Sequence, residues 1–264
     1  MKEKLKKLYD FSNTWTGTII IVLLVIFFVA QAFVIPSGSM KRTLLIGDHL
    51  FVKKFAYGIP IPHIPWLEIP VFPDIHGNGH LIEGKRPQRG DIVVFRYPEN
   101  PSIHYVKRCV AVGGDIIGLL NKDLYLRPHE GDEYIKKYYD KRDIVEIDGK
   151  LWVKNPYKRL FPGIQNDPRI KPNGIYPEQI FNFPPVKVPK DHFFMMGDNR
   201  DHSNDSRFWG TVPYSLVVGK PWFVYFSWDR DYKIRWNRIG RFVDTLQKDP
   251  RFIDKNVSLG DVIE

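Results

Sequence analysis

Cysteine is almost missing from this chain: Cys109 stands alone among 264 residues, so no intrachain disulfide can form and the compartment cannot be read from cysteine pairing. A single cysteine of this kind is most simply a small buried apolar residue. No H-E-x-x-H motif is present, and the one close histidine pair, His76 and His80, flanks a glycine turn instead of sharing a helical face, which speaks against a zinc site. No G-x-S-x-G elbow occurs either, so a Ser-His-Asp hydrolase of the α/β type finds no support. Internal repeats, low-complexity tracts and long stretches of 3.6-residue periodicity are absent beyond the N-terminus. Acidic residues are the scarcer charge, 30 against 39 Lys and Arg, and the net +9 favours anionic partners such as lipid headgroups or nucleic acid.

What the chain does have is enough apolar material for a core, 43% hydrophobic and 14% aromatic residues, which excludes wholesale disorder. The opening MKEKLKKLYD carries Lys2, Lys4, Lys6 and Lys7, and Gly17 to Ile35 then runs without a formal charge. As helix that run would reach about 28 Å, the thickness of a hydrocarbon core. Lysines ahead of it keep that end cytoplasmic and put the rest of the chain outside. A second reading is that Ile19 to Ala30 is the apolar part of a cleavable signal peptide, with Ala30-Gln31-Ala32 as its small-x-small cleavage site. Both readings export the body.

Downstream, HLFVKKFAYG, GDIVVFRYP, IHYVKRCVAVGGDII, KLWVK and KPWFVYFSW are rich in Val, Ile, Phe and Tyr and bounded by Gly, Pro or Asp, the mark of strands. The expected architecture is mainly β, an antiparallel body on one N-terminal transmembrane helix. Its expected divisions are a basic tail over 1–16, a span over 17–35, a body formed by 36–117 with 191–264, and an inserted β-rich subdomain over 118–190. Within the insert, Ile147-Asp148-Gly149-Lys150 is a hairpin signal. Six prolines between 57 and 90 predict an irregular excursion. The basic and aromatic run Tyr232 to Val243 reads as a solvated or membrane-facing edge rather than a nucleic-acid site, because an exported domain rarely meets nucleic acid.

Three segments carry candidate chemistry. On the strand Ile103 to Val112, period-two alternation puts Lys107 on one face and Arg108 on the other, each among apolar neighbours. A covered lysine loses its proton more readily than a covered arginine and becomes a general base; the plainer reading is a lysine snorkelling from a strand edge. Ser39, in a turn forced by Pro36 and Gly38, is a candidate nucleophile that needs such a base; the plainer reading is a turn residue. Its backbone N–H and the Ser37 hydroxyl would make a pair of oxyanion donors. The polar run Met196 to Arg207 is either a salt-bridged loop or part of a site. Calcium would draw on Asp198, Asn199, Asp201 and Asp205, but the spacing lacks EF-hand alternation and its closing glutamate.

Taken together, PSGSM with TLLIGDHLFVKKFAYG, RGDIVVFRYPENP, YVKRCVAVGGD and GDNRDHSNDSRFWG with VPYSLVVGK resemble, in the same order, the boxes of bacterial type I signal peptidase, a membrane-bound serine protease family with a Ser-Lys dyad. The resemblance covers most of the chain. It implies that Ser39 is the nucleophile, Lys107 the general base, and Ser37 with the Ser39 amide the oxyanion hole. It further implies that Ser203 orients the lysine, with Asp205 and Arg207 in support. Ile35, Pro36, Met40, Leu44, Tyr105 and Val106 match the wall of the pocket for the residue before the cut. Phe33, Leu50 and Val94, with Ile35 and Val106, match the pocket two residues earlier. Shallow apolar pockets of this kind would select small-x-small sites by excluding larger side chains.

The implied activity is removal of signal peptides from secretory preproteins through an acyl-enzyme, at the bacterial cytoplasmic membrane. No metal or organic cofactor is implied, the partners are preproteins and phospholipid rather than nucleic acid, and no feature speaks to oligomeric state. The chain departs from the family at Arg42, where many members have proline, and has one apolar span where some have two; a disulfide seen in some relatives cannot form. Self-cleaving repressors use a related Ser-Lys pair but lack such a span, and an exported binding scaffold is the non-enzymatic competitor. The resemblance favours a retained anchor, since Phe33 and Ile35 belong beside the pocket. Self-cleavage after Ala32 is the alternative, and an intact N-terminus on membrane-purified protein is the expected result; a chain starting at Phe33 would reverse it.

Overall fold

The apolar N-terminal run changes conformation part-way in the computed structural model, which describes residues 2–64, 67 and 69–253. Helix α1 (Lys2–Ser12) breaks at Asn13, and α2 (Trp15–Leu24) begins where the Thr14 hydroxyl accepts the Gly17 N–H at 3.0 Å, satisfying one of the orphan donors of a helix start. A π-helical turn, Val25–Val29, follows, and strand β1 (Ala30–Val34) takes over. The helical part from Trp15 to Val29 rises only about 22 Å. Among the described residues no helix is long and apolar enough to cross a membrane. The helix expected over 17–35 therefore ends early, and the reason is pairing. Ala30 to Val34 bond along β2 (Asp48–Lys53), from Ala30 opposite Lys53 to Val34 opposite His49. Phe33 and Ile35 turn to the core while Ala32 and Val34 stay exposed, a period of two that a helix cannot satisfy.

The remaining strands are β3 (Gly58–Pro60), β4 (His80–Glu83), β5 (Ile92–Tyr97), β6 (Asn100–Val112), β7 (Ile116–Leu120), β8 (Asp123–Arg127), β9 (Ile144–Ile147), β10 (Lys150–Lys154), β11 (Phe183–Lys187), β12 (His192–Met196), β13 (Val212–Pro213) and β14 (Val217–Ser227). One seven-stranded antiparallel sheet runs β1-β2-β14-β5-β6-β12-β13, and a five-stranded one runs β11-β7-β8-β10-β9. The proline-rich excursion contains the short β3–β4 ladder and an isolated antiparallel bridge between His63 and Pro70. In the insert, Asp148 and Gly149 at φ of 50° and 69° form the two-residue turn between β9 and β10. The insert shares most of its core with the larger sheet, Leu119, Leu124 and Leu126 packing with Val110, Ala111, Phe194 and Met196, and adds a small cluster of its own from Ile170, Ile180 and Phe181. Short helices α3 (Asp132–Tyr138), α4 (Ser206–Trp209) and α5 (Val243–Lys248) lie outside the strand pattern read from the sequence.

The run Tyr232 to Val243 is only partly the solvated edge expected. Tyr232 and Trp236 are exposed, but Arg238 is buried, pairing with Asp48 at 2.6 Å and donating to the Thr43 carbonyl at 3.0 Å. Asp48 also accepts the Leu45 N–H at 2.8 Å and the Ser227 hydroxyl at 2.7 Å. A C-terminal arginine thus closes the turn that leads out of the Ser39 loop. Removing it strands a buried carboxylate, which is strongly destabilising. Arg238→Met is expected to lower unfolding stability by about 3 kcal/mol in urea titration, and Asp48→Asn in the same chain to recover part of the loss; an unchanged midpoint would show that the pair contributes nothing.

Candidate active site

Ser39 sits in a 3-10 turn, Gly38–Met40, inside a loop whose two ends are tied together: the Ile35 N–H donates to the Asp48 carbonyl at 2.9 Å and the Gly47 N–H to the Ile35 carbonyl at 3.0 Å. Met40 anchors the turn in a core with Leu44, Leu50 and Val94. Arg42 takes φ +77°, a region proline's ring cannot reach, and its guanidinium donates to the Gln165 side chain at 2.8 Å. On the far side, Asn199 straps the turn down: its N–H donates to the Ser39 carbonyl at 3.0 Å and its side chain to the Gly38 carbonyl at 3.1 Å.

The middle of β6 is covered on both faces, leaving Lys107 only 4% exposed and Arg108 fully buried. Lys107 Nζ lies 2.6 Å from Ser39 Oγ, and Ser37 Oγ is 3.5 Å from the same atom. The Tyr105 ring covers the amine, its centroid 4.9 Å from Nζ. Burial pushes the Lys107 pKa down to about 8, against the pull of the Asp205 carboxylate and with a smaller push from Arg207. Arg108, one residue on and facing the other way, is met by both oxygens of Asp198, at 2.8 and 2.7 Å. Burial alone would raise the Asp198 carboxyl, but Arg108 holds it below the usual range. The Thr43 hydroxyl donates to the same carboxylate at 2.6 Å.

The polar run after β12 supplies the third wall. Asp205 accepts the Gly197 N–H at 3.1 Å and both arms of Arg207 at 2.8 and 2.9 Å. Arg207 holds its carboxyl low despite burial. Ser203 is buried among these groups, yet its hydroxyl makes no hydrogen bond of ordinary geometry among the described residues, to Lys107 or otherwise, although Asp205 is near enough to feel it. Gly197 separates Ser203 from Ser39 with no room to spare: a Cβ there would lie 2.3 Å from Ser203 Oγ and 2.5 Å from the Ser39 carbonyl oxygen. The four candidate calcium ligands do not converge. Asp198 serves Arg108, Asp205 serves Arg207, Asp201 pairs with Lys122 at 2.9 Å, and Asn199 holds Gly38. Asp115, His129 and Glu130 do cluster, but the Arg89 guanidinium fills the space between them at 2.5 to 3.1 Å.

Phe33, Ile35, Pro36, Met40, Tyr105 and Val106 line a cleft of about 690 Å³ beside Ser39 and Lys107. Leu44, Leu50 and Val94 are wholly buried and back this wall from the core instead of lining it. The cleft also takes in Ile46, Ile103, His104, His202, Asn204 and Arg230, which the sequence reading missed. His104 was within reach of it, since alternation on β6 puts it on the Val106 face. Ile46 and Arg230 carry no local signal. A larger concavity of about 1140 Å³, lined by Lys85 to Arg89 and Tyr134, contains neither Ser39 nor Lys107 and lies at the junction with the insert. A buried hydroxyl touching a buried amine of lowered pKa beside an apolar cleft is an arrangement fit for acyl transfer.

The profile of the family described as signal peptidase, peptidase S26, matches residues 8–228. The signal peptidase I of Helicobacter pylori (strain ATCC 700392 / 26695) is 47% identical, with 92% of this chain and 96% of that protein covered. That of Pseudomonas aeruginosa is 36% identical, covering 86% of this chain and 76% of that one. A solved signal peptidase I from Enterococcus faecalis V583 shares 24% identity and a TM-score of 0.31 over 52% of this chain and 97% of that one, too slight a likeness to carry a fold assignment. Because Gly197 has no room for a side chain, Gly197→Ala is expected to push Ser203 and the Ser39 peptide apart and slow reaction of Ser39 with an activated ester by about a hundredfold, with circular dichroism unchanged; an undiminished rate would mean the contact yields without consequence.

Proposed function

Because the chain belongs to the signal peptidase family, peptidase S26, and is a signal peptidase I enzyme, we propose that it cuts signal peptides from preproteins with Ser39 as nucleophile and Lys107 as general base. The observation that carries this is the 2.6 Å approach of Lys107 Nζ to Ser39 Oγ at a site where burial favours the neutral amine. β1 is an end strand of its sheet and faces β6 across the cleft, with Phe33 and His104 rings 5.3 Å apart. An extended peptide would lie between them with main-chain hydrogen bonds to the strands. Its carbonyl carbon then meets Ser39 Oγ, and Lys107 takes the hydroxyl proton as the new C–O bond forms. The oxyanion is held by the Ser37 hydroxyl and the Ser39 N–H. Collapse breaks the C–N bond, Lys107 returns the proton to the leaving amine, and water cleaves the Ser39 ester with Lys107 again as base. Asp205 and Arg207 support the lysine side, and Ser203 reaches Lys107 by turning its unpaired hydroxyl once substrate is bound.

Apolar walls from Ile35, Met40, Tyr105 and Val106 leave room for small side chains, in keeping with small-x-small sites. We assign the membrane contact to the basic tail and the exposed apolar helix that follows, where Trp15, Ile19, Val22 and Leu24 are each at least 48% exposed. The N-terminus would be cytoplasmic and the β body outside, at the bacterial cytoplasmic membrane. The pairing of Ala30 to Ala32 into β1 favours a retained anchor over self-cleavage.

The sign of the pH dependence follows from the base. Below a pKa of about 8 the amine is protonated and cannot accept, so kcat/KM on a preprotein with an Ala-x-Ala site should fall tenfold per pH unit on the acid side and level off above it. Ser39→Ala and Lys107→Met, folded by circular dichroism, should both be inactive. Normal cutting by either, or a flat profile from acid to alkaline pH, would remove the dyad from the mechanism.

A further inference from the structure

Tyr105 is itself held in a stack of aromatic rings that neither the cleft nor the dyad requires. Tyr97 at the end of β5 lies against it face to face, centroids 4.6 Å apart and planes 18° from parallel. Trp209, the last residue of α4, meets Tyr97 edge-on at 5.8 Å and 77° and approaches Tyr105 at 6.4 Å. Phe95, fully buried, packs under both, 5.9 Å from Trp209 and 6.3 Å from Tyr105. Tyr105 lines the substrate cleft; Tyr97 and Trp209 do not. We propose that Tyr97 and Trp209 are positioning residues that act through Tyr105, clamping its ring over the Lys107 amine and closing that side of the dyad to water. The proposal rests on the Ser39–Lys107 reading above.

The geometry matters because of what surrounds the amine. Two buried carboxylates, Asp205 and Asp198, favour its charged form, and Arg207 alone among the nearby charges opposes them. His202 lines the cleft nearby, Ser39 accepts a hydrogen bond from Nζ, and Glu99 is engaged by the Tyr97 hydroxyl at the rim. Exclusion of water is therefore the main influence lowering the lysine's pKa, and it has to outweigh two negative charges. Tyr105, only half-buried, would swing off Nζ without a ring at its back. Trp209 comes from the segment that also carries Asp205 and Arg207, so the stack joins that loop to β5 and β6 directly above the base. Aromatic pairs of these geometries contribute beyond their buried area and hold orientation.

The test is the pH dependence of kcat/KM for the full chain in detergent, with the same Ala-x-Ala preprotein, for wild type, Tyr97→Phe, Tyr97→Ala, Trp209→Leu and Lys107→Met. Tyr97→Ala and Trp209→Leu should move the acid limb upward by about one pH unit, a roughly tenfold loss at pH 7 that is recovered at alkaline pH. Tyr97→Phe should keep the wild-type limb, since the ring and not the hydroxyl does the clamping. A rate reduced by the same factor at every pH, with the limb unmoved, would make the stack mere core packing and overturn the proposal. Activity in Lys107→Met would instead overturn the dyad reading. Should Tyr97→Ala fail to fold, Tyr97→Leu keeps the bulk without the stacking face and is read the same way.

Discussion

The buried pair between Arg108 and Asp198 is the contact on which the site's other parts converge. Arg108 comes from the middle of β6, and Asp198 from the loop after β12. Thr43, from the far end of the Ser39 loop, adds its hydroxyl to the same carboxylate. The guanidinium also donates to the Gly90 carbonyl at 2.6 Å and the Gln247 side chain at 2.9 Å, drawing in the loop before β5 and helix α5. Such a pair adds little net stability against a well-packed apolar alternative, but breaking one half of it is costly. Its effect is to fix register among segments that are far apart in sequence. Lys107 inherits its position from this arrangement, since its neighbour on the strand cannot move.

Adjacent cations on β6 thus have opposite fates for one physical reason. Strand alternation sends them to opposite faces, both covered. Arg108 finds a bidentate carboxylate; Lys107 finds a serine hydroxyl and an aromatic ring, with the carboxylates of Asp205 and Asp198 held to other partners. Desolvation then decides, and the amine is the group that can give way. The same economy appears in the polar loop, where each acidic side chain is matched to a different donor, so that a segment dense in charge is buried almost whole.

Much of this was legible in the sequence because it is local. Runs of β-branched and aromatic residues bordered by Gly, Pro or Asp marked β2, β5, β6, β10 and β14, and Asp148-Gly149 marked its hairpin. The ordered segments around Ser39, Lys107 and Ser203 pointed to parts that the fold brings into one place. What escaped is non-local. The apolar run from Gly17 is uniform to the eye, yet leaves the helix at Ala30 because a partner strand lies beside it. Arg238 sits in a run of basic and aromatic residues typical of a surface, and only the buried Asp48, 190 residues away, explains its burial. Leu44, Leu50 and Val94 share the composition of a pocket wall but lie one layer behind it. Ile46 and Arg230 reach the cleft only because separate loops end there.

The passage from helix to sheet edge at Ala30 has a geometric consequence. Strand β1 is stiff and paired along its whole length, about 16 Å at the usual rise, and it leads straight into the Ser39 turn. The chain therefore has the form of a ruler, with the apolar helix at the zero mark and the Ser39 hydroxyl at a set graduation beyond it. A peptide aligned beside β1 would be read against the same scale, so that the number of residues between its own apolar stretch and the severed bond is fixed by the length of a strand rather than by the chemistry of the pocket alone.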